Sequence, residues 1–257
     1  RTSRPDPRRH QLQNQPAVTN SLIYTGSTVI WNKYAYNAGT LLSQHHLPHV
    51  LRQRHTMRYE GVVGPLNRWV DGVRASTNES VPYFDPRAAT QGAEVLILLQ
   101  DPSGEAQFGS GFISRDNNDP TAHNSTLAAE AGHLAYSKSL HWNVVPWWVE
   151  NPAFPSRTQA AEARRAAPLL AELLNLLESR PKVVLLLGKQ AQRAWSQLLS
   201  KASPEIQKLP VIPGPQPQSA RLQQGRRGHR HTQQGTAGRS LCTSRSNVPR
   251  KRWAIAN

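Results

Sequence analysis

Three places in the chain carry side chains whose type and setting suit chemistry. Asp101 stands just after a run of strand length, EVLILL at 94–99, and just before Pro102. The proline restrains the local backbone, so the carboxylate is expected either to cap a turn or to face a crevice at the strand's end. Phe112 lies in the glycine-flexed stretch FGSGFISRDNND, 108–119. Its ring reads either as core or as a platform on which a flat ligand stacks. Asn143 is third in HWNVVPWW, 141–148. An amide among Trp and Val must bond backbone or a ligand, because an unpaired buried amide is costly. Its paired donor and acceptor suit the edge of a nucleobase.

Other chemistries find less support. The single Cys242 excludes an intrachain disulfide, a four-thiolate iron–sulfur site and a Cys-rich zinc site. His45, His46, His49 and His55 have helical spacings but no carboxylate nearby in sequence, so no metal site is expected. Gly188-Lys189 after an apolar run resembles a phosphate-binding turn, yet neither GxGxxG nor GxxxxGK[ST] is present. The longest aliphatic run, Val183 to Leu187, falls far short of the ~20 residues of a membrane span. A soluble cytoplasmic protein, monomeric and without cofactor, is expected.

The elements that must position these groups alternate. A helix is expected from Gly64-Pro65 to about Ala75, with Leu66, Trp69, Val70 and Val73 on one face. Val81 to Pro86 reads as a loop, Glu94 to Leu99 as a buried strand, and Gln100 to Gly104 as a turn. Asp119-Pro120 caps and starts a helix to Ala131, ended by Gly132. A strand at 139–145, a helix at 157–177, a strand at 182–187, a helix at 189–199 and a short strand at 209–212 complete the pattern. This order predicts an α/β fold, a three-layer α/β/α sandwich with a central, mostly parallel four-stranded sheet. In such a sheet reactive groups collect at the carboxyl ends of the strands. That places Gln100, Asp101, Asn143, Gly188 and 213–216 along one rim.

The formal charge of +15 lies wholly in the ends: residues 1–56 carry +6, 57–209 are balanced, and 210–257 carry +9. Both ends lack sustained apolar period. Residues 1–56 are therefore expected to be poorly ordered, or to be non-native sequence translated upstream of a start at Met57, the sole methionine. Residues 57–215 are the expected domain, and 216–257 a basic, disordered or frameshifted tail.

LLQDPSG at 98–104, SGFISRDNNDPTA at 110–122, LHWNVVPWW at 140–148 and VVLLLGKQAQRAW at 183–195, in that order, resemble the uracil-DNA glycosylase superfamily, most closely its uncharacterised bacterial members. The resemblance covers about residues 65–213. It implies that the partner is DNA and the product uracil. Asp101 would act on the water or on the oxocarbenium-like sugar, with Gln100 giving backbone contacts beside the base. Phe112 would stack on a flipped base and Asn143 would pair with its Watson–Crick edge. Arg115 and Lys189 are candidates for contacts to the DNA backbone.

Two positions depart from the family pattern. Ser103 stands where better-known members have a tyrosine that excludes thymine. The second motif, a His-Pro-Ser-type loop, is degenerate here, with Gln216 and Ser219 in GPQPQSAR at 214–221. The alternative reading is a catalytically silent nucleic-acid-binding protein whose basic tails hold phosphates.

Overall fold

The structure is a computed structural model that describes residues 26–178, 180–200 and 202–217. Two helices come first. α1 (Lys33–Asn37) is capped by Asn32, whose Oδ1 accepts from Ala35 N at 3.1 Å. The same side chain ties the segment to the rest of the fold, since Nδ2 donates to Arg115 O at 2.8 Å and to Asn117 O at 3.1 Å. α2 (Pro48–Thr56) starts on proline and buries Leu51 and Arg54. Residues 26–56, within the segment expected to be poorly ordered or non-native, thus carry two helices; α2 buries an ion-paired arginine beside one leucine, a face that apolar periodicity does not register. Residues 1–25 lie outside the described residues.

α3 (Gly64–Thr77) buries Leu66, Val70 and Val73, as the spacing predicts. The chain then forms β1 (Tyr83–Phe84), where a loop is expected. Pro82 and Pro86 flank this pair rather than occupy it, so both residues keep their N–H donors. Tyr83 N donates to Gly111 O at 2.8 Å, and the strand pairs in parallel with β3 (Phe112–Ile113).

The central sheet is built from β2 (Val95–Leu99), β4 (Ser139–Asn143), β5 (Val183–Leu187) and β6 (Val211–Gly214). The order is β4-β2-β5-β6, and every pair is parallel. The connections contain α4 (Pro120–Ala131), α5 (Gln159–Leu176), α6 (Lys189–Leu199) and α7 (Pro204–Gln207). Asp119 caps α4, with Oδ1 accepting from Ala122 N at 2.8 Å. β6 starts two residues later than expected, which moves residues 213–214 from the rim into the ladder.

Side chains alternate across a strand, so the sheet's two faces can be read from register. One face carries Leu96, Leu98, Leu140, Trp142, Val184 and Leu186, all buried. Against it, Trp142 stacks on Phe84 at 4.6 Å and meets Trp69 of α3 at 5.4 Å. Ala166, Leu169, Leu170, Leu173 and Leu174 of α5 and Trp195 of α6 belong to this same apolar core. The other face carries Ser139, His141 and Asn143 from β4, covered by Arg115 and the start of α4. Helical layers on an open parallel sheet give the α/β fold that the pattern predicts.

Candidate active site

A cavity of about 400 Å³ opens at the carboxyl ends of β2 and β4. Gln100, Asp101, Asn143, Arg115 and Gln216 all line it, together with Ser103, Asp119, His141, Trp148 and Glu150. The topology thus brings together residues spread over more than a hundred positions.

Asp101 sits in the segment that leaves β2. Its Oδ2 accepts from Val149 N at 3.0 Å and its Oδ1 from Gln159 Nε2 at 3.1 Å. Burial nonetheless pushes its pKa above the ordinary carboxylate value, against the lowering effect of these donors. The result is a fixed carboxylate with raised basicity, suited to take a proton from water. Gln100 contributes backbone: its carbonyl accepts from Val145 N at 2.9 Å, joining this segment to the one that leaves β4.

Asn143 ends β4 and is 4 % exposed. Its side chain makes no hydrogen bond with another described residue, so its amide is available to a ligand in the cavity. Ser103 Oγ donates to Asp119 Oδ2 at 3.2 Å and accepts from Ala106 N at 3.1 Å. These bonds tie the Asp101 segment to the start of α4. Asp119 is itself pushed up by burial, but both of its oxygens already have protein donors.

Phe112 and Arg115 sit differently from what the sequence suggests. Phe112 is 0 % exposed and does not line the cavity; it packs in β3 against His55 at 4.6 Å and Tyr83 at 6.2 Å. The tryptophan among the lining residues is Trp148, which is half-buried and meets Phe108 edge-on at 6.2 Å. Arg115 is not a surface contact for phosphate, because it is 4 % exposed and bonded to Leu134 O and Ser139 Oγ. Lys189 does not line the cavity but stands exposed at the start of α6.

Gln216 reaches the cavity because Gly188 makes room for it. Gly188 has φ +91°, and a Cβ there would lie 3.2 Å from that of Gln216. Ser219, the other residue of the degenerate motif, lies outside the described residues.

His141 carries no signature of its own in the sequence, and the Trp147-Trp148 pair reads either as core or as groove lining. His141 is two residues before Asn143 in the same strand, and that period of two was the available signal. Trp148 is separated from its neighbour Trp147 only by tertiary contacts. Trp147 is fully buried, with Nε1 donating to Glu162 Oε2 at 2.8 Å.

A parallel α/β sheet with a cavity at its strand ends defines a class of ligand-binding domains. Within that class, the profile of the Uracil DNA glycosylase superfamily matches residues 86–235, more than half of the chain, and the protein belongs to that superfamily. The match includes residues 216–235, part of the segment expected to be a tail. It begins after α1, α2 and α3. No curated protein matches the sequence. Among the described residues no helix is long and apolar enough to cross a membrane.

Proposed function

We propose that the protein hydrolyses the N-glycosidic bond of uracil, or of a related damaged base, in DNA. The observation that carries this reading is the pairing of two groups in one cavity of a chain from this superfamily. Asp101 is a carboxylate made more basic by burial, and Asn143 is a buried amide with no hydrogen bond to another described residue.

The chemistry follows from those groups. A base inside a duplex is out of reach and must be unstacked into the cavity. There Asn143 offers its carbonyl to the base N–H and its amide N–H to a base carbonyl, a pattern that favours uracil over cytosine. Trp148 is the aromatic surface on which the base rests. Asp101 accepts a proton from the water that attacks C1′, and its charge also stabilises the positive character of the sugar. Lys189, exposed beyond the rim, is placed for a phosphate. A monomer suffices, since every group invoked comes from one chain.

The test is release of free uracil from a uracil-containing oligonucleotide by the full chain. Asp101→Asn should slow release by roughly 10²–10⁴-fold, the range for loss of a general base. Asn143→Ala should weaken release of uracil as well. Wild-type release no faster than that of both variants would sink the catalytic reading. The silent nucleic-acid-binding protein would then stand, a reading favoured by the neutral Gln216 in the second motif.

A further inference from the structure

Three consecutive carbonyls beside the cavity accept hydrogen bonds from residues far earlier in the chain. Asn32 Nδ2 donates to Arg115 O at 2.8 Å and to Asn117 O at 3.1 Å, and Leu42 N donates to Asp116 O at 2.8 Å. Side chains add further ties. Thr40 Oγ1 donates to Asp116 Oδ1 at 2.9 Å, Trp31 N to Asn118 Oδ1 at 2.9 Å, and Asn118 Nδ2 to Val29 O at 2.8 Å. Residues 29–42 thus run as a strap along 115–118, and Arg115 and Asn117 line the cavity. The superfamily match begins at residue 86, so it includes the wall and leaves out the strap.

Asn117 connects the strap to what the cavity binds. It is 2 % exposed, and its Nδ2 donates to Phe112 O at 2.8 Å. A carbonyl oxygen only accepts, so this bond fixes which end of the amide is which. The other end, Oδ1, is buried and has no hydrogen-bond partner. An unpaired buried acceptor is costly, and a donor that arrives with a ligand recovers that cost. Neighbouring polar groups of the lining are engaged within the protein: Ser103 with Asp119, Ser114 with Asp85, and Arg115 with Leu134 O and Ser139 Oγ.

Asn32 is 0 % exposed and divides its side chain between two tasks. Oδ1 caps α1 by accepting from Ala35 N, while Nδ2 holds the wall. Arg115 O has a second donor in Thr126 Oγ1 at 3.1 Å, so the loss of Nδ2 bears most on Asn117.

We propose that Asn32 is a positioning residue for the cavity: it fixes the wall so that Asn117 Oδ1 accepts a hydrogen bond from the donor edge of the bound base. This rests on the base-excision reading. The strap, although outside the superfamily match, is then a working part of the site. Its contribution is to binding, because the wall touches no bond that forms or breaks.

The experiment measures KM and kcat for release of uracil from a uracil-containing oligonucleotide by the full chain, by Asn32→Ser, by Asn117→Ala and by the double variant. Serine caps a helix about as well as asparagine, so Asn32→Ser keeps α1 and removes the bonds to the wall. KM should rise roughly 3–30-fold in each single variant, the range for one hydrogen bond, with kcat largely kept. The double variant should be no worse than Asn117→Ala alone, because Asn32 acts through Asn117. Asn118→Ala is the second route: it cuts the ties to Trp31 N and Val29 O, leaves the α1 cap in place, and should behave as Asn32→Ser does.

An unchanged KM in the folded single variants would overturn the proposal. So would effects that multiply in the double variant, since a strap with only a structural role lowers Tm and is indifferent to Asn117. Absence of uracil release by the wild type would instead count against the base-excision reading. The dissociation constant of the same oligonucleotide then replaces KM, and the same comparison decides.

Discussion

Among the protein donors to Asp101, Val149 and Gln159 differ in what can be removed. Val149 N–H is backbone, whereas Gln159 is a side chain at the start of α5. The Gln159 donor lowers the Asp101 pKa, while burial raises it more. If Asp101 is the general base proposed above, its ionised form is the active one, so activity should be low in acid and rise as pH passes up through the raised pKa. Gln159→Leu removes a lowering influence and should move the acid limb of kcat/KM to higher pH, with the plateau largely kept. An unmoved limb would mean that another group sets it. The aromatic residues divide the same way. Phe112→Ala empties a fully buried site and should cost about 3–5 kcal/mol in thermal or denaturant unfolding. Trp148→Ala should leave unfolding nearly unchanged and weaken binding of a uracil-containing oligonucleotide by about 1–3 kcal/mol.

Among the elements, β5 and α6 meet at Gly188, whose φ of +91° and ψ of 161° lie where side chains are strained. Gly188 N also donates to Gly214 O at 2.9 Å, so the turn and the end of β6 move as one. Gly188→Ala should cost about 1–3 kcal/mol of stability and displace Gln216 from the cavity. The check is a drop in Tm together with a changed rate of base release. Elements such as these were legible where their causes are local. α6 begins and ends where its apolar spacing and Gly188 predict, and the Asp119-Pro120 signal sets the start of α4. β1 was illegible because two residues are too short to show a period. Phe112 and Arg115 were misread for a different reason. What buries Phe112 includes His55 of α2, and what occupies Arg115 includes Leu134 and β4, so their exposure is a tertiary property. The position of Asp101 and Asn143 at the rim was legible because each ends or follows a strand whose direction fixes that rim.

For the molecule as a whole, residues 26–56, before Met57, pack into the fold. Asp85 is 0 % exposed, and Arg54 Nη1 donates to both its oxygens, at 2.5 and 2.7 Å. Ser114 Oγ and Tyr136 O–H also donate to Asp85 Oδ2, which links this ion pair to the strand-end segment beside the cavity. A chain that starts at Met57 loses Arg54 and leaves two buried carboxylates with the half-exposed Arg87 as their one remaining ion-pair partner among the described residues. It also uncovers the partners of Leu41, Leu42 and Leu51. Removing one member of a buried pair costs about 3–5 kcal/mol, a large part of the roughly 5–15 kcal/mol that holds a domain folded. Residues 57–257 should therefore unfold at a much lower temperature than the full chain, as followed by near-ultraviolet circular dichroism. Asp85→Asn separates lost charge pairing from lost packing. In the full chain it breaks the pair and should destabilise; in the chain from Met57 it removes an uncompensated charge and should stabilise. The same sign in both backgrounds would mean that packing of α1 and α2, not the ion pair, joins this segment to the domain.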